Sequence, residues 1–151
     1  MMEDCEDVAR RELAMEELRS VRLLARRVST TVLEIELLET QINRVTSAYD
    51  KVIVQGGRHD RSDAIAKLID LRAECNSRVD DYADKKAQVL RRIDAIDDPL
   101  LGEVLYLRYV QGLEWEQVAK NVQYSEGHIY RLGNRALQAY TEVSCRKDDS
   151  Q

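Results

Sequence analysis

Between Ser125 and Arg135 the chain reads SEGHIYRLGNR, a run whose polar side chains suit hydrogen bonding to a nucleic acid. With Ile129, Leu132 and Ala136 turned inward on a helix, Glu126, Gly127, His128, Tyr130, Arg131, Asn134 and Arg135 face outward. His128 and Arg131 can donate to guanine or to phosphate, and Glu126 can accept from cytosine N4. Arg135, a turn and more along, suits phosphate. The remaining sequence offers little other chemistry. The chain has only two histidines, no glycine-rich phosphate loop, and no serine or cysteine nucleophile beside a histidine. His59, Asp60 and Asp63 lack the fourth ligand a closed metal site needs. The residues therefore predict no enzyme, no cofactor and no metal. The pairs Asp80-Asp81 and Asp97-Asp98 read most simply as solvated helix surface, with a role at the domain junction as the alternative.

The elements that must position that run lie between Leu100 and Val143. Leu101, Val104, Leu105, Arg108 and Tyr109 recur at three-to-four spacing and predict a first helix, ended by Gln111-Gly112. Trp115, Val118 and Ala119 share one face of a short second helix. Asn121 to Tyr124 make the turn, and Ser125 is the expected N-cap of the last helix. Ile129, Leu132, Ala136 and Leu137 form its buried side. Two short helices, a tight turn and a small alanine at their crossing make a helix-turn-helix, whose last helix meets base edges with its N-terminal residues. Gly127 and Gly133 each cost about 1 kcal/mol relative to Ala inside a helix. They predict either close backbone approach to DNA or a helix that firms on binding. Five of the seven tyrosines (Tyr106, Tyr109, Tyr124, Tyr130 and Tyr140) fall in this part, to bond phosphates or to edge its small core.

Leu107-Arg108-Tyr109, Gly112, Val118-Ala119, Ser125, Ile129 and Arg135-Ala136-Leu137 resemble the fourth region of bacterial sigma factors, the part that reads the −35 element. The layout behind a long helical N-terminus is similar to phage late-gene transcriptional activators of the ArpU and RinA type. Gln123 stands where the sigma-like turn has Gly, and Glu114-Trp115 replaces the Thr-capped start of the short helix. A non-Gly residue with positive φ is uncommon, so Gln123 predicts an altered turn. The resemblance implies a sequence-specific regulator, phage or prophage encoded, with RNA polymerase as a partner.

Phe is absent, Pro occurs once and 34% of residues are charged, which together predict an all-α chain. No apolar run approaches the ~18 residues that cross a bilayer. The acidic start Met1-Met2-Glu3-Asp4 has no hydrophobic core region of a signal peptide. Cys5, Cys75 and Cys145 are odd in number and far apart, so they read as reduced thiols of a cytoplasmic protein, in the bacterial host if phage encoded.

Pro99, preceded by Asp97-Asp98, divides the chain. Residues 1–98 are expected to form a long antiparallel helical hairpin of coiled-coil type, 99–145 the helix-turn-helix domain and 146–151 a polar tail. In the first arm Val21, Val28, Ile35, Ile42 and Tyr49 repeat in sevens, as do Leu24, Thr31, Leu38, Val45 and Val52. In the second arm one row is Leu68, Cys75, Tyr82, Val89 and Ile96. The other is Ile65, Val79 and Ile93, interrupted by Arg72 and Lys86, which are expected to face a carboxylate or the edge of the groove. Gln55 to Asp60 break the pattern, with Asp60 or Ser62 as cap of the second arm. Glu3 to Ser20 are expected to extend the first helix past its partner. That overhang, or the hairpin itself, is where a homo-oligomer would form.

Charge runs against DNA. Residues 99–151 hold six Lys/Arg and seven Asp/Glu, net −1, and the whole chain carries −5. Phosphate neutralisation supplies much of the affinity of DNA-binding domains, so weak non-specific binding is expected, with an oligomer or a partner to compensate. Three classes fit. One is a regulator bound to double-stranded DNA. Another is an adaptor whose helix-turn-helix docks on RNA polymerase or a repressor without reading DNA. The third is a small-terminase-like packaging factor, although those place the DNA-binding part first.

Overall fold

The protein was described from a computed structural model, which covers residues 2–49 and 57–148, with side chains over 4–45 and 60–146. Every element among them is helical: α1 (Met2–Tyr49), α2 (Gly57–Asp94), α3 (Pro99–Leu105), a π-helical turn (Tyr106–Val110), α4 (Trp115–Val122) and α5 (Glu126–Asp148). The protein is therefore all-α. None of the described helices is long and apolar enough to cross a membrane. Two compact units divide the chain, Leu24–Tyr82 and Met1–Leu23 with Ala83–Gln151.

In the unit Leu24–Tyr82, α1 and α2 run antiparallel, as the pairs Arg72–Glu39 and Arg78–Thr31 require. Val28, Thr31, Ile35, Leu38 and Ile42 are covered along α1, as the seven-residue repeat predicts, while Val45 stays exposed. On α2 the covered positions are Ala64, Leu68, Leu71, Cys75, Arg78 and Tyr82. The row Leu68–Cys75–Tyr82 is as expected. The second expected row is displaced by one residue, because Ile65 and Val79 are exposed and Leu71 and Arg78 take the seam. Hydrophobicity favoured Ile65 and Val79, but the Arg78 guanidinium is satisfied where it lies. It donates to the buried Thr31 hydroxyl at 2.7 Å and pairs with Glu74. Arg72 sits on the flank facing the Glu39 carboxylate. Helix α2 already runs from Gly57, so Asp60 lies in its first turn instead of capping it. Tyr49, Val52, the glycine turn and the His59 side chain lie outside the described residues.

The core of the other unit joins Ala14, Leu18 and Val21 of α1 to Val89, Ile93 and Ile96, and to apolar residues of every later helix. Val89 is buried in its expected row. Ile93 is buried too, but it lies 3.5 Å from where a Cβ on Gly102 would stand, so it packs on α3. The N-terminal stretch is not a free overhang. Met15 accepts from the Tyr109 hydroxyl at 3.3 Å, and Arg11 donates to Asn134 at 3.0 Å. Pro99 opens α3 behind Asp98, whose carboxylate accepts from the Leu100 amide at 3.0 Å. The connection at 98/99 thus falls inside this unit. The three cysteines are free thiols.

Candidate nucleic-acid interface

Three turns set the direction of α5. The π-helical turn ends with the Gln111 amide donating to the Tyr106 carbonyl at 3.0 Å, and Gly112 follows at φ 77°. The α4 N-terminus forms at Glu114, whose amide donates to Gln117 Oε1 at 3.2 Å. This interaction replaces the threonine cap that the sigma-like pattern would supply. Arg22 and Arg108 both donate to the Glu114 carboxylate, at 2.9 and 3.1 Å, and hold it below the usual carboxylate range. After α4 the chain turns at Gln123, which adopts the left-handed conformation at φ 63°. The altered turn expected from a non-Gly residue there is not seen: Gln123 itself takes the left-handed C-cap geometry that favours Gly, and the Tyr124 amide closes on the Ala119 carbonyl at 3.0 Å. Ser125 then caps α5, its hydroxyl accepting from the His128 amide at 3.3 Å.

The inward side of α5 is Ile129, Leu132, Ala136, Leu137, Tyr140 and Val143, all buried. Ser125, Glu126, His128, Tyr130, Arg131, Asn134 and Arg135 are exposed together, as the helical spacing predicts. The Tyr124 ring stacks on His128, with centroids 5.0 Å apart and planes 21° from parallel. Among the described residues, neither Arg131 nor Arg135 enters an ion pair. Asn134 is held by Arg11 through its side-chain oxygen, which leaves its amide nitrogen as the donor on this face. Tyr106, Tyr124 and Tyr130 are exposed, whereas Tyr109 and Tyr140 belong to the core.

Gly133 has a packing role instead of a DNA role. A Cβ there would stand 2.7 Å from the Trp115 ring. Trp115 in turn meets Tyr109 edge-on at 6.5 Å and Tyr130 at 6.0 Å, and the Arg108 guanidinium lies 5.2 Å from its ring centroid. Gly127 has open space around it, so nothing in the chain demands a glycine there.

Sequence reading missed two supports of this face. Arg11 arrives from α1, over a hundred positions away, and no local pattern links it to Asn134. The second is Glu17, which accepts from the Tyr140 hydroxyl at 2.7 Å and pairs with Arg92. Its one sequence signal was the seven-residue spacing of the cations Arg78, Lys85 and Arg92. Burial and Glu17 together push the Tyr140 hydroxyl well above its ordinary pKa.

These elements define an all-helical protein that ends in two helices joined by a tight turn, with a polar, partly cationic outer face on the second. The chain belongs to the family described as Protein of unknown function (DUF1492), whose model matches residues 44–141. No curated protein and no solved structure matches the chain.

Proposed function

We propose that this chain is a sequence-specific DNA-binding transcription regulator, phage or prophage encoded, of the ArpU/RinA kind, that works as a homo-oligomer alongside RNA polymerase. The observation that carries the reading is the sorting of α5. Its apolar residues are buried while Glu126, His128, Tyr130, Arg131, Asn134 and Arg135 are exposed on one side, with two cations outside any ion pair among the described residues. In this reading α5 enters the major groove by its N-terminal end, where His128 and Arg131 meet base edges and Glu126 accepts from cytosine. Arg135 meets phosphate. Tyr124, stacked on His128, fixes the direction of the imidazole.

The test is selection of fragments of the encoding genome by purified protein at ~100 mM salt, where electrostatic non-specific binding is reduced. Enrichment of one promoter-proximal site is the expected result. No enrichment favours a second reading, which the net charge of −5 supports: an adaptor whose α4–α5 region docks on RNA polymerase or a repressor.

A further inference from the structure

Arg11 reaches the outward face of α5 from α1, where its guanidinium donates to the exposed Asn134 side-chain oxygen at 3.0 Å. Both residues belong to the unit Met1–Leu23 with Ala83–Gln151. Arg131 lies one helical turn before Asn134 and Arg135 beside it, so three arginines gather on one exposed patch. Among the described residues Arg11 enters no ion pair. Its neighbour Arg10 differs, with the carboxylates of Glu6 at 3.7 Å and Asp7 at 3.8 Å. A carboxylate partner would cancel the charge of Arg11. An amide partner fixes the guanidinium in place and leaves that charge uncompensated.

We infer that Arg11 is a further DNA contact, made to a backbone phosphate at the rim of the groove that α5 enters. The inference deepens the DNA-binding reading above and rests on it. Depth selects phosphate over base. In that reading His128 meets base edges, and Asn134 lies six residues further along α5, about 9 Å away. The major groove is about 8.5 Å deep. With His128 at the floor, a guanidinium held at Asn134 stands level with the phosphates. It also brings a cation to a region whose own residues, 99–151, carry a net charge of −1. The cationic surface goes no further. The open cleft that continues from Arg11 between α1 and α5 holds Asp7 and Glu142 beside Arg10 and Arg146, and those carboxylates repel a phosphate backbone. The geometry therefore supplies one added phosphate contact.

Fluorescence anisotropy of the full chain with the enriched fragment and with a scrambled one, between about 50 and 200 mM salt, tests it, with circular dichroism to confirm folding. Arg11→Gln removes the charge but keeps a donor for Asn134. It should weaken binding to both fragments alike, about eightfold at ~100 mM salt, and lower the slope of log K against log salt by about 0.9, the share of one phosphate. Arg11→Lys should keep the slope. Arg10→Gln removes the same charge one position away and should change affinity less than about twofold, with the slope unaltered. If Arg11 only positions Asn134, Arg11→Gln and Asn134→Ala lose affinity for the enriched fragment alone, at an unaltered slope, and the phosphate contact is overturned. An equal loss in Arg10→Gln traces the effect to overall charge and overturns it too. A wild type that enriches no fragment fails the DNA reading itself, whereas specific binding with an unaltered slope in Arg11→Gln fails Arg11 alone.

Discussion

Tyr140 and Glu17 meet across 123 positions of sequence, the Tyr140 hydroxyl donating to a Glu17 carboxylate oxygen at 2.7 Å. Glu17 gives its other oxygen to Arg92, so one carboxylate ties α5 and α2 to the first part of α1. The Tyr140 side chain is fully buried and the Arg92–Glu17 pair is nearly so. Tyr140→Phe should cost about 1.5–3 kcal/mol, the worth of a hydrogen bond to a charged group. Arg92→Ala should cost more, about 3 kcal/mol, because it leaves Glu17 without its counter-charge. Urea denaturation followed by circular dichroism measures both. The Tyr140 pKa is raised on folding, so its contribution is full below about pH 10, the unfolded value, and is lost as pH climbs toward the folded one. Alkaline destabilisation should therefore be smaller in Tyr140→Phe than in the wild type.

The two glycines of α5 should respond in opposite directions. Gly133→Ala gains about 1 kcal/mol of helix propensity but drives a methyl into Trp115, and overpacking of this kind costs about 1–3 kcal/mol. A net loss of stability is expected. Gly127→Ala meets nothing and should raise stability by about 0.5–1 kcal/mol. Thermal denaturation of the two variants side by side is the check.

Glu114 links Arg22 and Arg108, and its pKa falls on folding because both arginines donate to it. A depressed carboxylate adds stability above its unfolded pKa, about 4.3, and loses it as pH drops through the folded value. Glu114→Gln should lower the Tm at pH 7. The gap from the wild type should narrow as pH falls through the folded pKa, below which both carry a neutral side chain.

Arg131→Ala should leave the fold intact, since the side chain is exposed. If Arg131 reads a guanine, the substitution weakens binding to the selected site by about 1–3 kcal/mol and relaxes specificity at one base pair. Unchanged affinity in a folded Arg131→Ala protein would exclude the proposed recognition face. Fluorescence anisotropy against the enriched fragment gives the answer.

Ile42→Asp places a carboxylate in the seam of α1 and α2, where Ile42 is half-buried. A loss of about 1–3 kcal/mol is expected from burying a charge without its partner. The helical signal of the full chain under mild denaturant reports it.

The helical content, the helix-turn-helix and the sorting of α5 were legible in the sequence because they depend on local chemistry. Helical spacing alone puts Ile129, Leu132 and Ala136 on one side and Arg131, Asn134 and Arg135 on the other. Gly112, Gln123 and Ser125 act within a few residues of where they stand. The seam of α2 was half legible. Two candidate rows differ by one position, and hydrophobicity chose Ile65 and Val79 over Leu71 and Arg78. What decided between them was Thr31, whose hydroxyl accepts from Arg78 across the pair. A charge in a seam is tolerable only when its partner is known, and partners on another helix leave no periodic mark. The same holds for Arg11 at Asn134, Glu17 at Tyr140 and Trp115 over Gly133. Helix, cap and turn follow from neighbours in the chain, whereas these contacts exist only once distant side chains are packed together.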